Sequence, residues 1–271
     1  MDVKKVLVIG GSDPSGGAGI QADVKTLVEI GVYPYSAITA ITVQNSYGLT
    51  GYEVVPARLL REQINTVIYE GNVRSIKTGM LGSSENILEI ASLLTLKIIE
   101  YSVIDPVIKA SNGVPLLSDA SIAVLKKRLL PYCFMVTPNA DEAKCLTGLA
   151  IKTERDLLDA AMALKETGVK WVLVKGGHLE SNLSIDLLYD GEREYYFESE
   201  KVGHKNVRGT GCMLASAITA YLTLGFTPCD AVDKAKAYVF NKICNAVQLG
   251  KGSLQALHFR KEGGCAENRI D

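Results

Sequence analysis

Six short runs, 5–9, 36–43, 73–77, 102–104, 134–136 and 171–174, are rich in β-branched residues and almost wholly apolar, and longer stretches of helical period separate them. Runs of this length and composition predict strands. A strand that is apolar on both faces needs cover on both, so the pattern predicts a mostly parallel sheet between two layers of helices. Pro56 suits the first turn of one helix and Ser84, ahead of Asn86, Ile87 and Leu88, suits the start of another. Gly168 falls where a helix over 154–167 should stop. Late in the chain, 185–189 and 194–197 flank Asp190 and Gly191, a hairpin signal, so antiparallel strands join the sheet there. Residues 212–224 are apolar almost all round, which marks a buried helix, and Val232, Ala235, Val239, Ile243 and Val247 form one stripe on the next. The core is expected to end there, and the glycine-rich, charged stretch 261–271 to fray as a flexible tail.

Composition narrows this picture without changing it. The chain has 271 residues, 47% hydrophobic and 22% charged, the balance of an ordinary globular protein. No linker-like stretch divides it, so a single α/β domain over 1–260 is expected. The formal net charge is -1 and the three histidines are scattered, which gives neither the basic stripe of a nucleic-acid binder nor a polybasic run for a membrane. The expected partner is a small molecule. The apolar run 6–9 is too short for a signal peptide, and the six cysteines include no C-x-x-C pair, so reduced thiols in a cytoplasm are the expectation.

Several segments could carry chemistry. Residues 10–19 follow the first strand and hold five glycines, more than a flexible strand-to-helix turn needs, and such a loop lets backbone approach a ligand closely. The loose dinucleotide pattern at 17–22 lacks an acidic partner, since the second strand ends in Gln44 and Asn45, and no Walker-type phosphate loop occurs. Arg208, Gly209, Thr210, Gly211 and Cys212 stand at the head of the buried helix, where free N–H groups and the helix dipole favour an anion. Thr210 as a simple N-cap explains that segment equally well. A thiol in the first helical turn beside an arginine is expected to have a lowered pKa and to serve as base or nucleophile, the alternative being an inert buried cysteine. Asn139 and Glu142, three apart after a strand, read as a capping box. The runs 77–80, 105–107 and 175–178 also lie just beyond strand C-termini, the edge at which open α/β sheets bind ligands.

In this order and spacing, the runs 11–23, 77–82, 105–107, 137–143, 175–178 and 209–212 resemble the hydroxymethylpyrimidine and hydroxymethylpyrimidine-phosphate kinases of thiamine biosynthesis. These belong to the ribokinase-like superfamily, which also holds vitamin B6 kinases. The resemblance covers nearly the whole chain and implies a ribokinase-like three-layer αβα sandwich. It implies ATP- and Mg2+-dependent phosphorylation of 4-amino-5-hydroxymethyl-2-methylpyrimidine and then of its monophosphate, with a pyridoxal, pyridoxine or pyridoxamine kinase as the alternative. It assigns Ala18, Asp23, Gln44, Gly79, Met80 and Val107 to the ring pocket, where Asp23 and Gln44 would bond ring substituents and Met80 and Val107 cover its faces. Asp105 and Glu142 would hold magnesium. Asn139, Lys175, Thr210, Gly211 and Asn241 would belong to the nucleotide side, and Gly209, Thr210, Gly211 and Cys212 to catalysis, with Cys212 as base. A homodimer is implied by the same likeness. The sugar kinases carry Asp at the Cys212 position, so the thiol points to the pyrimidine or pyridoxal branch. Where the family usually has Thr-His before its Gly-Thr-Gly-Cys run, this chain has Val207 and Arg208, and Pro14 is a second departure. From its position alone, Arg208 is expected to meet a transferring phosphoryl group or the phosphate of a monophosphorylated acceptor. An NAD-dependent dehydrogenase would need the acidic partner that is absent. A non-catalytic vitamin-binding regulator is disfavoured by the intact Cys212, Asp105 and Glu142.

Overall fold

The computed structural model describes residues 3–177, 183–202, 207–257 and 259. Its elements run β1 (Lys5–Ser12), α1 (Gly19–Ile30), β2 (Tyr33–Asn45), β3 (Gly48–Val54), α2 (Ala57–Gly71), β4 (Ser75–Thr78) and α3 (Ser84–Thr95). They continue with β5 (Tyr101–Ile104), α4 (Asp119–Val124), β6 (Met135–Val136), α5 (Ala140–Thr147), α6 (Glu154–Lys165) and β7 (Trp171–Lys175). The hairpin β8 (Leu183–Tyr189) and β9 (Glu194–Glu200) then leads to α7 (Thr210–Thr223) and α8 (Pro228–Cys244). The strands form one sheet in the order β3-β2-β1-β4-β5-β6-β7-β8-β9. From β2 across to β7 every pairing is parallel, while β3, β8 and β9 add antiparallel edges.

Alternation within each strand builds the layers. Leu7, Ile9, Ile104, Val136, Val172 and Val174 pack into one core with residues of α2, α3, α5 and α6. Their chain neighbours point the other way: Val103, Met135 and Leu173 meet α7 and α8, and Val6 and Val8 meet α1. The sandwich is therefore ribokinase-like with three layers, and α7 is buried nearly all round because it lies between the sheet and its flanking helices.

Local chemistry sets the boundaries. Asn139 and Glu142 form a complete capping box on α5, and Thr153 and Asp156 form another on α6. Ser83, one residue before the expected start, caps α3 through the Asn86 N–H. Gly168, at φ +101°, turns the chain soon after α6. Two expectations needed revision. The stretch 48–54 is a strand, paired antiparallel with β2 through a tight turn at 46–47. The core also continues past α8, because Val247 pairs with Ala256 and the Leu254 N–H donates to the Ser46 carbonyl at 3.1 Å, so this segment straps back onto the β2–β3 hairpin. The tail 261–271 and all three histidines lie outside the described residues.

Candidate active site

The C-terminal ends of β1, β2, β4, β5, β6 and β7 and the head of α7 converge on one edge of the sheet. Two glycine-rich segments interlock there. Gly19, at φ +58°, opens α1, and a Cβ on it would lie 2.3 Å from the Gly11 carbonyl oxygen. Gly209, at φ +80°, caps α7, and a Cβ on it would lie 2.1 Å from the Gly17 carbonyl oxygen. Only glycine allows this backbone-to-backbone approach in that conformation.

Arg208 does not point at Cys212. Its Nη2 donates to Asp13 Oδ2 at 2.7 Å and to the Ser15 hydroxyl, and its Nη1 donates to the Asn45 carbonyl at 2.8 Å. With 4% of its surface exposed, it is buried against the 10–19 loop, and the expected phosphate contact is replaced by an internal ion pair.

The surroundings of Cys212 come from elsewhere in the chain. Lys77 on β4 is fully buried and donates to both oxygens of Asp23 on α1, at 2.8 and 2.9 Å. Ser216, one turn beyond Cys212 on α7, donates to Asp23 Oδ1 at 2.8 Å. Burial raises the Asp23 carboxyl above its ordinary value against the pull of Lys77. Burial pulls the Lys77 ammonium down, but Asp23, Cys212 and Asp105 outweigh it and leave the group above an ordinary lysine. Cys212 is half-buried. Burial pushes the thiol up to about 11, with Asp23 and Asp105 adding to the rise while Lys77 and the Gly19 N–H oppose it. The lowered pKa expected from a neighbouring arginine is thus reversed, because desolvation by burial dominates and the arginine turns away.

A second charged group lies beside the first. Lys175 at the end of β7 donates to Asp105 Oδ1 at 3.0 Å, and a Cβ on Gly211 would lie 3.3 Å from its Nζ. Burial raises Glu142 to about 7, with Lys175 opposing and Asp105 adding, while the N–H groups of Asn139 and Ile108 stabilise the carboxylate. The capping box and the site therefore share one side chain. Among the described residues no three acidic, histidine or cysteine side chains converge as a metal cage.

The remaining expected residues divide in two. Met80 and Val107 join Ala40, Leu49, Tyr52 and Leu116 in a small apolar cluster, and a Cβ on Gly11 would lie 3.0 Å from Met80 Sδ. Gly79 is buried beside Lys77 Nζ, Gln44 is half-buried where β2 bulges, and Ala18 is the N-cap of α1. Asp23 is 1% exposed and is bonded to Lys77 and Ser216. On the other side, Asn139, Lys175, Thr210 and Gly211 line a cavity of about 450 Å3. Asn241 is not among its lining residues: it is exposed, and its carbonyl and side-chain oxygens accept from Asn245. Lys236 on α8, paired with Asp186 at 2.7 Å, lines the cavity and escaped the sequence reading. A lysine inside the apolar stripe of Val232, Ala235 and Val239 was the available signal.

Comparison with known proteins gives this arrangement a family. The family model described as phosphomethylpyrimidine kinase matches residues 13–256. The chain belongs to that family. The chain is 43% identical over 247 residues to the thiamine biosynthesis bifunctional protein ThiED of Geobacter sulfurreducens, covering 91% of this chain and 50% of that protein. It is 40% identical over 247 residues to the hydroxymethylpyrimidine/phosphomethylpyrimidine kinase of Streptomyces coelicolor, covering 91% of each. Among solved structures it is similar to the pyridoxal kinase of Staphylococcus aureus in complex with AMP-PCP and pyridoxal, with a TM-score of 0.86 and 34% identity over 94% of this chain and 93% of that one. As a phosphomethylpyrimidine kinase family member the chain is a kinase, and no helix among its described residues is long and apolar enough to cross a membrane.

Proposed function

We propose that the chain transfers the terminal phosphoryl group of ATP to the hydroxymethyl group of 4-amino-5-hydroxymethyl-2-methylpyrimidine and then to the phosphate of that product. The observation that carries this is the position of the α7 head. Thr210 and Gly211 border the 450 Å3 cavity, and Cys212 follows them beside Lys77 and the loop that frames Met80. An acceptor on the Met80–Val107 side and ATP in the cavity would meet at the first turn of α7, where main-chain N–H groups are unpaired within the helix and the dipole favours negative charge. Met80 and Val107 supply apolar faces for a flat ring, and Gln44 a polar edge.

Cys212 takes the proton of the acceptor hydroxyl in this scheme. In a loose phosphoryl-transfer transition state the hydroxyl keeps its proton until late, and the fraction of Cys212 present as thiolate then accepts that proton and becomes the thiol. Lys77 favours that thiolate, and Asp23 holds Lys77 in place rather than touching the ring. Asp105 and Glu142 would hold magnesium. Two buried carboxylates whose proximity helps raise one of them to about 7 form a site that gains from added positive charge, and Mg2+ binds through one or two carboxylates plus substrate phosphates. The ion would supply charge neutralisation on the phosphate oxygens.

Pyridoxal phosphorylation is the second reading, favoured by the similarity to the S. aureus enzyme. Exposed Ile41, Val43 and Tyr47 at the β2–β3 edge support a homodimer, and use of ATP suits a cytoplasmic setting. Incubation with ATP, Mg2+ and hydroxymethylpyrimidine, followed by mass spectrometry, tests the main reading. The monophosphate and then the diphosphate should accumulate. ADP release with neither product would sink it.

A further inference from the structure

The 10–19 loop is organised around one carboxylate. Asp13, 1% exposed, accepts from the Ser15 N–H (2.9 Å) and hydroxyl (2.7 Å) at Oδ1, and from the N–H groups of Gly17 (3.1 Å) and Ala18 (2.8 Å) at Oδ2. Arg208 adds the fifth partner and the only countercharge bonded to it among the described residues. A Cβ on Gly17 would lie 2.5 Å from Arg208 Nε, so the guanidinium lies directly on the loop backbone. The same guanidinium holds the Asn45 carbonyl, next to Gln44, and the Arg208 N–H donates to the Gln255 carbonyl of the C-terminal strap at 3.1 Å. Arg208 also immediately precedes Gly209, the cap of α7.

These contacts join the acceptor side to the helix that carries the thiol. The loop ends at Gly19, whose N–H stabilises the charged form of Cys212, and includes Ala18, the cap of α1. A buried ion pair adds little net stability over apolar replacements, and its best-attested use is fixing one geometry among several. We propose that the Asp13–Arg208 pair is a positioning device: it fixes the 13–19 loop and the end of β2 against the first turn of α7, and so sets the Gly19 N–H against Cys212 and aligns the acceptor with the base. This rests on the assignment of Cys212 as base. Arg208 touches neither substrate in this account.

The test uses Asp13→Asn, Arg208→Gln, the double variant and Arg208→Lys in the full chain, with steady-state kinetics for ATP and the hydroxyl acceptor. Misalignment of this kind is expected to cost about 100-fold in kcat/KM for the acceptor with KM for ATP changed less than about twofold. The double variant should be no worse than either single one, and Arg208→Lys should restore part of the loss. Alkylation of Cys212 by iodoacetamide, read by peptide mapping, should change in the Asn and Gln variants. Losses shared equally by ATP and acceptor parameters, or a lower Tm with the kinetic constants of the folded fraction intact, would overturn the proposal. A Cys212→Ala control separates the two claims. If that variant retains full activity on the hydroxyl acceptor, the base assignment fails. If it is inactive while the pair variants show normal kinetics and alkylation, the positioning proposal alone fails.

Discussion

Replacing Cys212 by Ala should separate the two phosphoryl transfers, because only one of them needs a base. The hydroxymethyl group must lose a proton, whereas the phosphate of the monophosphate is already anionic at neutral pH, its second pKa being about 6. A positioned base contributes roughly 10²–10⁴-fold, so Cys212→Ala should lose about that much on the hydroxyl acceptor and less than about threefold on the phosphate acceptor. The pH profile carries the same distinction. With the thiol raised to about 11, roughly one protein in 10⁴ carries the thiolate at pH 7, and that fraction grows tenfold with each step in pH. Wild-type kcat/KM for the hydroxyl acceptor should therefore climb about tenfold per pH unit between about 7 and 9, while the phosphate acceptor shows no such climb. Coupled measurement of ADP release with both acceptors, in buffers of constant ionic strength, reads both effects. Equal losses on the two acceptors, or a hydroxyl profile that levels off below about pH 8, would refute the assignment.

Two further outcomes follow from the geometry. Glu142 has a folded-state pKa of about 7 against an ordinary 4.5, so between those values the folded chain binds a proton that the unfolded chain has released, and its stability falls as pH rises. The contribution is present below about 4.5 and lost above about 7, so the ligand-free wild type should lose a few kcal/mol relative to Glu142→Gln across that window; parallel Tm curves from calorimetry would contradict this. Gly209→Ala would place a Cβ 2.1 Å from the Gly17 carbonyl at a φ of +80°. A fall in Tm of several degrees together with loss of turnover is expected for a strain of roughly 1–3 kcal/mol, and a variant with wild-type Tm and rate would show that the two segments do not interlock.

The parallel sheet was legible because its strands are covered on both faces, which leaves an unbroken apolar run in the sequence. The late hairpin was legible from Asp190 and Gly191. β3 was not, since Gly48 and Gly51 break its pattern and an edge strand is half solvated. The site was legible as a set of glycine-rich and polar runs at one sheet edge, but the partners of its charges were not. Lys77 meets Asp23 across 54 positions and Arg208 meets Asp13 across 195, distances over which local pattern carries no signal. The direction of the Cys212 shift was misjudged for the same reason: the adjacent arginine is visible in the chain, whereas burial and the field of Asp23, Asp105 and Lys77 exist only after folding. Glu142 shows that a capping role and a site role need not compete, since one carboxylate oxygen accepts from the Asn139 N–H while Lys175 and Asp105 act on the same group.

The central claim is that this α7 head phosphorylates a hydroxymethylpyrimidine in preference to a pyridoxal. Steady-state kinetics with the two acceptors side by side, at fixed ATP and Mg2+, test it most directly. The account predicts a kcat/KM for hydroxymethylpyrimidine at least about tenfold above that for pyridoxal, a difference of about 1.4 kcal/mol in transition-state binding. A higher kcat/KM for pyridoxal would contradict it.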